Sequence, residues 1–391
     1  MKRRAVLLGS VVVLAAASTG AALAQPAPAA ITHRNVPVCA APVAGAAACM
    51  SIRHDTYVNG HPVTNATVPS GYGARDIESA YGLPTANTST PTSGPTVAIV
   101  DAYDDPNAAA DLATYRSQMG LPPCGADCFK KVNQSGKVGS YPRANGGWAQ
   151  EISLDLDMVS AACPTCHILL VEATSASFNN LATAVNTAAN MGAVAISNSY
   201  GGSDQTELNS YNHPGIAITA STGDNGYGVE SPASFDHVIA VGGTSLVKSG
   251  STYSETAWSG AGSGCSTKNP KPVWQTSATL CPNGKANADV SAVADPQTGV
   301  AVYDSYRYQG MSGWLVFGGT SASSPIVASA YAVGGNHGQD YPAAWTWANG
   351  AQLHDIDSGS NGTCSTPVWC TSGGGWDGPT GLGTPNGTGA F

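Results

Sequence analysis

The stretch HILLVEATSASFNNLATAVNTAANMGAVAISNSY, residues 167–200, predicts the fold of this chain. It begins with one apolar run, HILLVEA (167–173), and ends with another, AVAISNSY (193–200), and both are typical of buried strands. Between them, SFNNLATAVNTAANMG (177–192) has the composition of a helix and begins with a serine that can cap it. A strand, a helix and a second strand in this order indicate parallel neighbours in one sheet.

The same alternation continues on both sides of this unit. Further buried strands are predicted at 96–103, 215–223 and 237–244, and DPNAAADLATYRSQMG (105–120) is predicted to be a helix. We therefore expect an α/β fold with a doubly wound parallel sheet flanked by helices. In such folds, ligand sites lie beyond the carboxyl ends of the strands.

The composition narrows the possible functions. Only 10% of the 391 residues are charged, the formal net charge is −9, and lysines and arginines form no cluster. This argues against a nucleic-acid partner. A surface with few charged groups also gains little self-repulsion in acid, which suits an acidic medium.

The N-terminal sequence resembles a secretory signal. Residues 1–24 combine Lys2, Arg3 and Arg4 with an apolar run and the small residues Ala22-Leu23-Ala24, so we expect a signal peptide cleaved after Ala24 and a secreted, extracellular protein. No later run is long enough to predict a membrane anchor. We expect residues 25–70 to be a short pro-segment or linker and residues 71–391 to be one globular domain, whose last 40 residues are rich in loops.

The ten cysteines indicate disulfide bonds. They fall into five close pairs: Cys39/Cys49, Cys124/Cys128, Cys163/Cys166, Cys265/Cys281 and Cys364/Cys370. Local disulfides are the favoured interpretation in an exported chain. The alternative for Cys163-Pro-Thr-Cys166 is a metal knuckle or a redox pair, although a structural zinc site would need two further ligands.

A serine lies at a tight turn in GWLVFGGTSASSPIVASAYAVGG (313–335). A short apolar strand leads into Gly318-Gly319-Thr320-Ser321, and a helix follows with Pro325 in its early turns. Backbone N–H groups at such a helix start can stabilise an oxyanion. On its own, Ser321 is better explained as an ordinary helix-capping serine, because serine is common at helix caps.

Two carboxylates stand four residues apart in GGWAQEISLDLDMVSAACPTC (146–166). On a helix, Glu151 and Asp155 would share one face at roughly 6 Å. The alternating letters EISLDLDM also permit a strand, which would separate the two carboxylates by about 13 Å. The residue types favour the helix.

A further aspartate follows a predicted strand in ITASTGDNGYG (218–228). Asp224, next to glycine, is compatible with an ordinary turn. It also lies at the carboxyl end of the strand, where catalytic groups gather.

Taken together, these motifs resemble the sedolisin family of serine-carboxyl peptidases. The resemblance rests on FGGTSASSP, on STGDNG followed by SPASFDHVIAVGGTSL, and on Glu151 and Asp155, and it runs from about residue 70 to the C-terminus. It implies a subtilisin-like fold and an endopeptidase, usually active in acid, that acts on proteins or peptides as a monomer. It also implies Ser321 as nucleophile, Glu151 as general base, Asp155 as the residue orienting that base, and Asp224 in the oxyanion hole.

Two alternatives remain open at this point. One is a neutral, subtilisin-like Ser-His-Asp triad with Asp101 as its acid, but no histidine opens a helix as that triad requires. The other is a secreted binding protein on an inactive peptidase scaffold, because a fold does not guarantee a function.

The resemblance also implies a structural calcium ion near the C-terminus. In HDIDSGSNGTCSTPVWCTSGGGWDGPTGLGTPN (354–386), carboxylates and backbone carbonyls supply the oxygen ligands that a hard cation prefers. The implied ligands are Asp355, Ile356, Gly373, Gly375 and Asp377. Without the resemblance, the segment would read as a glycine-rich surface loop.

Overall fold

The computed structural model describes residues 29–391. The predicted signal peptide and the first residues of the predicted pro-segment therefore lie outside the described residues. Within the described part, no helix is both long enough and apolar enough to cross a bilayer.

The strands are numbered here in chain order. They are β1 (Ile31–Pro37), β2 (Ala48–Cys49), β3 (Ile52–Val58), β4 (His61–Pro62), β5 (Thr96–Ala102), β6 (Phe129–Asn133), β7 (His167–Ala173), β8 (Ala195–Asn198), β9 (Tyr200–Ser203), β10 (Ala217–Ser221), β11 (Glu230–Ser231), β12 (Ile239–Ser249), β13 (Thr252–Ala257), β14 (Gly264–Pro270), β15 (Gly284–Asn287), β16 (Val290–Val293), β17 (Val300–Tyr308) and β18 (Met311–Gly318). The helices are α1 (Ala74–Tyr81), α2 (Ala108–Gln118), α3 (Gly146–Ala162), α4 (Phe178–Asn190), α5 (Thr320–Gly334) and α6 (Pro342–Ala348).

The main sheet has the order β13-β12-β10-β8-β5-β7-β6, with β16 also beside β12. Its strands run parallel, except that β13 is antiparallel to β12. The central strand β5 is buried on both of its faces, as a parallel sheet covered by helices requires. Helices α3 and α5 pack on each other and against the sheet, and α4 packs against β5 and β7. The predicted α/β fold with its parallel sheet is thus confirmed.

The strand order reverses beside β5, whose neighbours are β7 and β8. The carboxyl ends of β5, β8 and β10 therefore face one crevice. Asp101 is the next-to-last residue of β5, Ser199 follows β8, and Asp224 follows β10. This is the edge at which the topology of such a sheet places a ligand site.

A second sheet contains three strands of the predicted pro-segment, β1, β3 and β4. Strands β1 and β3 form an antiparallel hairpin, and β3 pairs with β18, which in turn pairs with β17. Residues 31–58 thus pack as part of the folded domain. Whether residues 25–70 are removed from the mature protein stays a prediction.

All five close cysteine pairs form disulfides within residues 29–391. Cys163 and Cys166 are bonded to each other, so the metal-knuckle interpretation of that pair is wrong. None of the cysteines in the described chain is free.

Candidate active site

Ser321 lies in the first turn of α5, directly after the strand β18. Gly319, which precedes the helix, has φ +95°, a conformation that glycine adopts readily and other residues rarely do. A Cβ at Gly319 would also lie 2.0 Å from the carbonyl oxygen of Met50. The glycine therefore permits both the sharp turn and the close approach of another chain segment to Ser321.

Helix α3 carries Glu151 and Asp155. The side chain of Asn145 caps the helix by accepting hydrogen bonds from the N–H groups of Gly147 and Trp148. From Gly147 to the end of the helix every residue is buried, so Glu151 and Asp155 lie inside the protein. The helix interpretation of this stretch is confirmed and the strand alternative is wrong.

Three carboxyl groups meet in the crevice. Asp101, Glu151 and Asp155 are all 0% exposed, and both oxygens of Asp101, both oxygens of Glu151 and Oδ2 of Asp155 have no hydrogen-bond partner. Burial raises the pKa of all three, and the neighbouring charge of Asp101 raises the pKa of Glu151 and Asp155 further. At acidic pH this cluster therefore holds protons and titrates as one unit.

Ser321 lies within reach of this cluster. The hydroxyl groups of Ser321 and Ser51 lie close enough to Glu151 to lower the pKa of its carboxyl, against the larger effect of burial. The Ser321 hydroxyl donates to the carbonyl oxygen of Ser199 at 3.3 Å. No histidine in the described chain forms a hydrogen bond with Ser321, Glu151 or Asp155.

Asp224 lies on the other side of the serine turn. Its Oδ1 accepts hydrogen bonds from the backbone N–H of Thr320 at 2.7 Å and from the Thr320 hydroxyl at 2.9 Å. Burial of the carboxyl raises its pKa to about 7, so the group carries a proton in acid. With Oδ1 engaged as an acceptor, Oδ2 is the oxygen that can donate.

The structure thus brings Glu151, Asp155, Asp224 and Ser321 close together, and their catalytic roles stay a prediction. It adds Asp101 and Ser199, which sequence reasoning did not place in this site. The sequence suggests Asp101 only as the acid of a histidine triad. Its position near the carboxyl end of a buried strand could also have indicated a place in this site. Ser199 gave no signal, because its role depends on contacts made across the crevice.

The residues predicted to bind calcium also lie together. The N–H of Gly375 donates to Asp355 Oδ2 at 2.8 Å, and the N–H of Gly373 donates to Asp377 Oδ2 at 3.1 Å. Both carboxylates therefore lie against the same glycine loop, and Ile356 adjoins Asp355. Burial raises the pKa of Asp377 to about 7, so a nearby cation would offset an unfavourable buried charge. An all-oxygen donor set with two carboxylates fits a hard cation such as Ca²⁺.

Two other acidic clusters were not predicted. One joins the buried carboxyl groups of Asp105, Asp111 and Asp304, and the other joins Glu207, Asp236 and His237. Burial raises the pKa of Asp105 to about 7 and that of Asp304 to about 8. Neither cluster includes a residue of the predicted calcium loop.

Comparison with known proteins places the chain among peptidases of the same fold. The model of the subtilase family matches residues 139–354. Kumamolisin from Bacillus sp. (strain MN-32) is 29% identical over 369 residues, and sedolisin from Pseudomonas sp. (strain 101) is 25% identical over 384 residues. The matches cover 83% and 82% of this chain, but only 64% of the length of either relative.

A solved structure agrees with these sequence matches. Pseudomonas sedolisin, a serine-carboxyl proteinase complexed with two molecules of pseudo-iodotyrostatin, superposes with a TM-score of 0.66 at 26% identity. The superposition covers 82% of this chain and 96% of that one. It supports the subtilisin-like fold.

Proposed function

The chain belongs to the subtilase family, in its sedolisin branch, and we propose that it is a secreted serine-carboxyl endopeptidase that hydrolyses peptide bonds of proteins at acidic pH. One observation carries the proposal: Ser321 opens a helix next to a buried cluster of carboxyl groups. A serine hydroxyl needs a nearby base to become a nucleophile. Glu151 is the proposed base, because its carboxyl lies close enough to the Ser321 hydroxyl for that hydroxyl to lower its pKa.

In the proposed reaction, the Ser321 hydroxyl attacks the carbonyl carbon of a bound peptide while Glu151 takes its proton. Asp155 orients Glu151 and shares the cluster's protons with it, and the charge of Asp101 raises the pKa of both groups. Glu151 then returns the proton to the leaving amine. Water releases the acyl group from Ser321 by the same steps in reverse order.

The oxyanion formed during attack would be stabilised by two donors. One is the backbone N–H of Ser321 at the start of α5, where the helix dipole also favours negative charge. The other is the protonated carboxyl of Asp224. Asp224 can donate only while it holds its proton, so this role supports activity in acid and its loss above about pH 7.

One feature supports an extracellular site of action. Five disulfides in the described chain are typical of proteins in an oxidising environment, which supports secretion. We also propose that the protein is made as a zymogen, with residues 25–70 as its pro-segment, and that it acts on protein substrates as a monomer.

We further propose one structural calcium ion at the C-terminal loop. Asp355 and Asp377 would supply carboxylate oxygens, and Ile356, Gly373 and Gly375 would supply backbone carbonyl oxygens. When bound, the ion would neutralise the two carboxylates and hold the loop in place.

The test is hydrolysis of an unfolded protein from about pH 3 to pH 8 by chain pre-incubated in acid. Ser321→Ala is expected to abolish turnover, whereas Ser323→Ala is the matched control on the same helix, because the Ser323 hydroxyl only donates to backbone carbonyls of Ala292 and Val293. Equal activity of Ser321→Ala and the unmodified chain would disprove the proposal.

A further inference from the structure

Three side chains with metal-binding groups meet at the edge of the main sheet opposite the crevice. Asp236 and His237 lie just before β12, and Glu207 lies in the loop that follows β9. Because β12 runs parallel to β10, its amino end lies at the other edge of the sheet from the carboxyl end of β10, which Asp224 follows. The cluster is therefore separate from the proposed peptidase site.

The donor atoms of these side chains have the spacing of ligands around one small cation. Nδ1 of His237 lies 2.9 Å from Oε2 of Glu207 and 3.7 Å from Oδ2 of Asp236. One donor atom from each of the three residues lies within 4.8 Å of the other two. Ligands bound at about 2.0 to 2.1 Å to a tetrahedral zinc ion are about 3.3 Å apart, a value between the 2.9 Å and 3.7 Å separations seen here.

The two carboxylates of the cluster are not balanced by cations of the chain. Among residues 29–391, Glu207 and Asp236 form ion pairs only with His237, and one imidazolium can balance only one of the two charges. Lys285 also acts on Glu207, but its ammonium group is bonded to Asp289 at 2.5 Å. Burial and the contact with Asp236 raise the pKa of Glu207 to about 9. A divalent cation would neutralise both carboxylates, which is one way in which proteins accommodate buried charges.

One oxygen of Glu207 has no hydrogen-bond partner. Oε2 accepts from the imidazole of His237, whereas Oε1 is buried and forms no hydrogen bond with any described residue. A buried acceptor without a partner is unfavourable, and a bound cation would satisfy it. Glu207 also lines a surface cavity of about 500 Å³, through which an ion can reach the cluster from solvent.

The loop that carries Glu207 is fixed by a residue outside the cluster. The buried side chain of Asn269 holds the loop at two points. Its Oδ1 accepts from the N–H of Glu207 at 2.8 Å, and its Nδ2 donates to the carbonyl oxygen of Gln205 at 2.9 Å. A ligand held in this way loses little conformational entropy when it binds an ion.

The imidazole of His237 is held as well. Its ring packs against the ring of Tyr341 with centroids 4.9 Å apart, and Tyr341 stacks on Trp274 at 5.3 Å. Groups that orient a metal-binding histidine contribute to the affinity of the site. Two of the three side chains are thus positioned by contacts that do not involve an ion.

The donor set selects the kind of cation. One imidazole nitrogen and two carboxylate oxygens suit first-row transition ions such as Zn²⁺. Ca²⁺ instead takes about six to eight oxygen ligands, which this cluster does not offer. Three protein ligands also leave one position of a tetrahedral ion for water.

We propose that Glu207, Asp236 and His237 bind one zinc ion, or another divalent ion of the first transition row, which joins the loop after β9 to the start of β12. On binding, the ion replaces the proton between His237 Nδ1 and Glu207 Oε2, and that proton passes to solvent. The ion stabilises the fold and takes no part in hydrolysis, so the inference does not depend on the proposed peptidase function.

The test is calorimetric titration of the full chain with zinc at about pH 7, where carboxylate and imidazole ligands lose their protons readily to a metal. The Ser321→Ala variant serves as the parent chain, because it should not digest itself, and excess Ca²⁺ is present throughout. We expect one zinc ion per chain. The Tm should increase by about 5 °C when free zinc is a hundredfold above its Kd.

Two ligand variants and one control locate the ion. His237→Ala and Asp236→Asn should each weaken zinc binding at least about tenfold, because loss of a direct ligand costs no less than loss of an outer partner. Asp236→Asn keeps the shape of the side chain and gives a second reading if His237→Ala does not fold. His213→Ala is the matched control, since this partly buried histidine bonds Asn186 at 3.0 Å and lies outside the cluster.

Cobalt gives a spectroscopic reading of the same site. Co²⁺ in place of zinc should show the strong visible absorption of a four-coordinate ion, and His237→Ala should remove it. Absence of zinc binding by the parent chain would overturn the proposal, as would equal binding by both ligand variants and the control. Zinc binding that is lost in Asp377→Asn and kept in His237→Ala would place the ion in the C-terminal loop, which also contradicts the proposal.

Discussion

Ser199 joins the two halves of the crevice through its contacts with Asp155 and Ser321. Its hydroxyl donates to Asp155 Oδ1 at 2.7 Å and lies 3.3 Å from the carbonyl oxygen of Ser321, and its own carbonyl oxygen accepts from the Ser321 hydroxyl. The Ser321 carbonyl is free for this contact because Pro325, four residues later, has no N–H to bond it within the helix. A helix-breaking residue thus helps to align the serine turn with helix α3.

Removing the Ser199 hydroxyl should therefore weaken catalysis. In Ser199→Ala the buried carboxyl of Asp155 loses its hydrogen bond, so we expect kcat to fall about 10- to 100-fold with a smaller change in KM. The measurement is steady-state kinetics at the pH optimum.

Ser197→Ala is the matched control for that substitution. Ser197 lies on β8, the strand that ends one residue before Ser199, and its hydroxyl bonds only the Ser324 hydroxyl. If both variants lose the same activity, the effect is one of packing and Ser199 has no particular role in orienting Asp155.

The protonated state of Asp224 should set the alkaline limit of activity. Burial raises the pKa of this carboxyl to about 7, and only the protonated form can donate, so activity should decline as the pH rises through about 7. In Asp224→Asn the amide donates at every pH, so the decline attributable to this group should vanish. Asp224→Ala should lower kcat about 10²- to 10³-fold across the whole range.

The pH dependence of kcat for the three forms is the measurement. An unchanged alkaline limb in Asp224→Asn would show that another group causes the decline and would remove Asp224 from this role.

Stability should be greatest in acid. Burial raises the pKa of Asp105 to about 7, of Asp304 to about 8 and of Glu172 to about 9, whereas in the unfolded chain these groups titrate near pH 4. Between those values the folded state binds more protons than the unfolded state, so the free energy of unfolding falls as the pH rises. The stabilisation is complete below about pH 4 and is lost progressively up to about pH 9.

Thermal melting from pH 3 to pH 9 checks this sign in the Ser321→Ala variant, which cannot digest itself. We expect the Tm to decrease across that range. A Tm that rises toward neutral pH would mean that the buried carboxyls have ionic partners strong enough to reverse the effect of burial.

Removal of calcium should destabilise the C-terminal loop. At a free Ca²⁺ concentration a hundredfold above its Kd, the bound ion would raise the free energy of unfolding by about 2.7 kcal/mol. Chelation should therefore lower the Tm by about 5 °C or more. Asp377→Asn should melt lower and lose its response to calcium, whereas Asp357→Asn, an exposed residue of the same region, should keep it. If the Tm of the unmodified protein does not change with calcium, the proposed calcium site is wrong.

Much of the fold could be predicted because its signals are local. The strand from His167 to Ala173 has the predicted bounds, and the helix after it differs by one or two residues, since continuous apolar runs and capping residues mark such elements directly. The disulfides were predictable for the same reason, because each pair is close in sequence. The four proposed catalytic residues stood out only through their combined resemblance to a family.

The remainder depends on contacts between distant parts of the chain. Nothing near Asp101 indicates that it will lie beside Glu151, since the two meet only when helix α3 packs against strand β5 in the folded chain. Likewise, nothing in the segment around Met50 indicates that it will pair with β9 and lie against Gly319. Such pairing has no sequence period of its own, so only the three-dimensional structure shows which segments of the chain meet in the crevice.

The most direct test of the central claim, that a carboxyl group and not a histidine activates Ser321, is the pH dependence of Ser321 acylation. A single-turnover measurement with an activated peptide ester on acid-activated enzyme would follow this step from about pH 3 to pH 8. We predict the fastest acylation in acid, a decline through about pH 7, and a loss of several orders of magnitude in Glu151→Gln. Acylation that increases toward pH 8 and persists in Glu151→Gln would contradict the account.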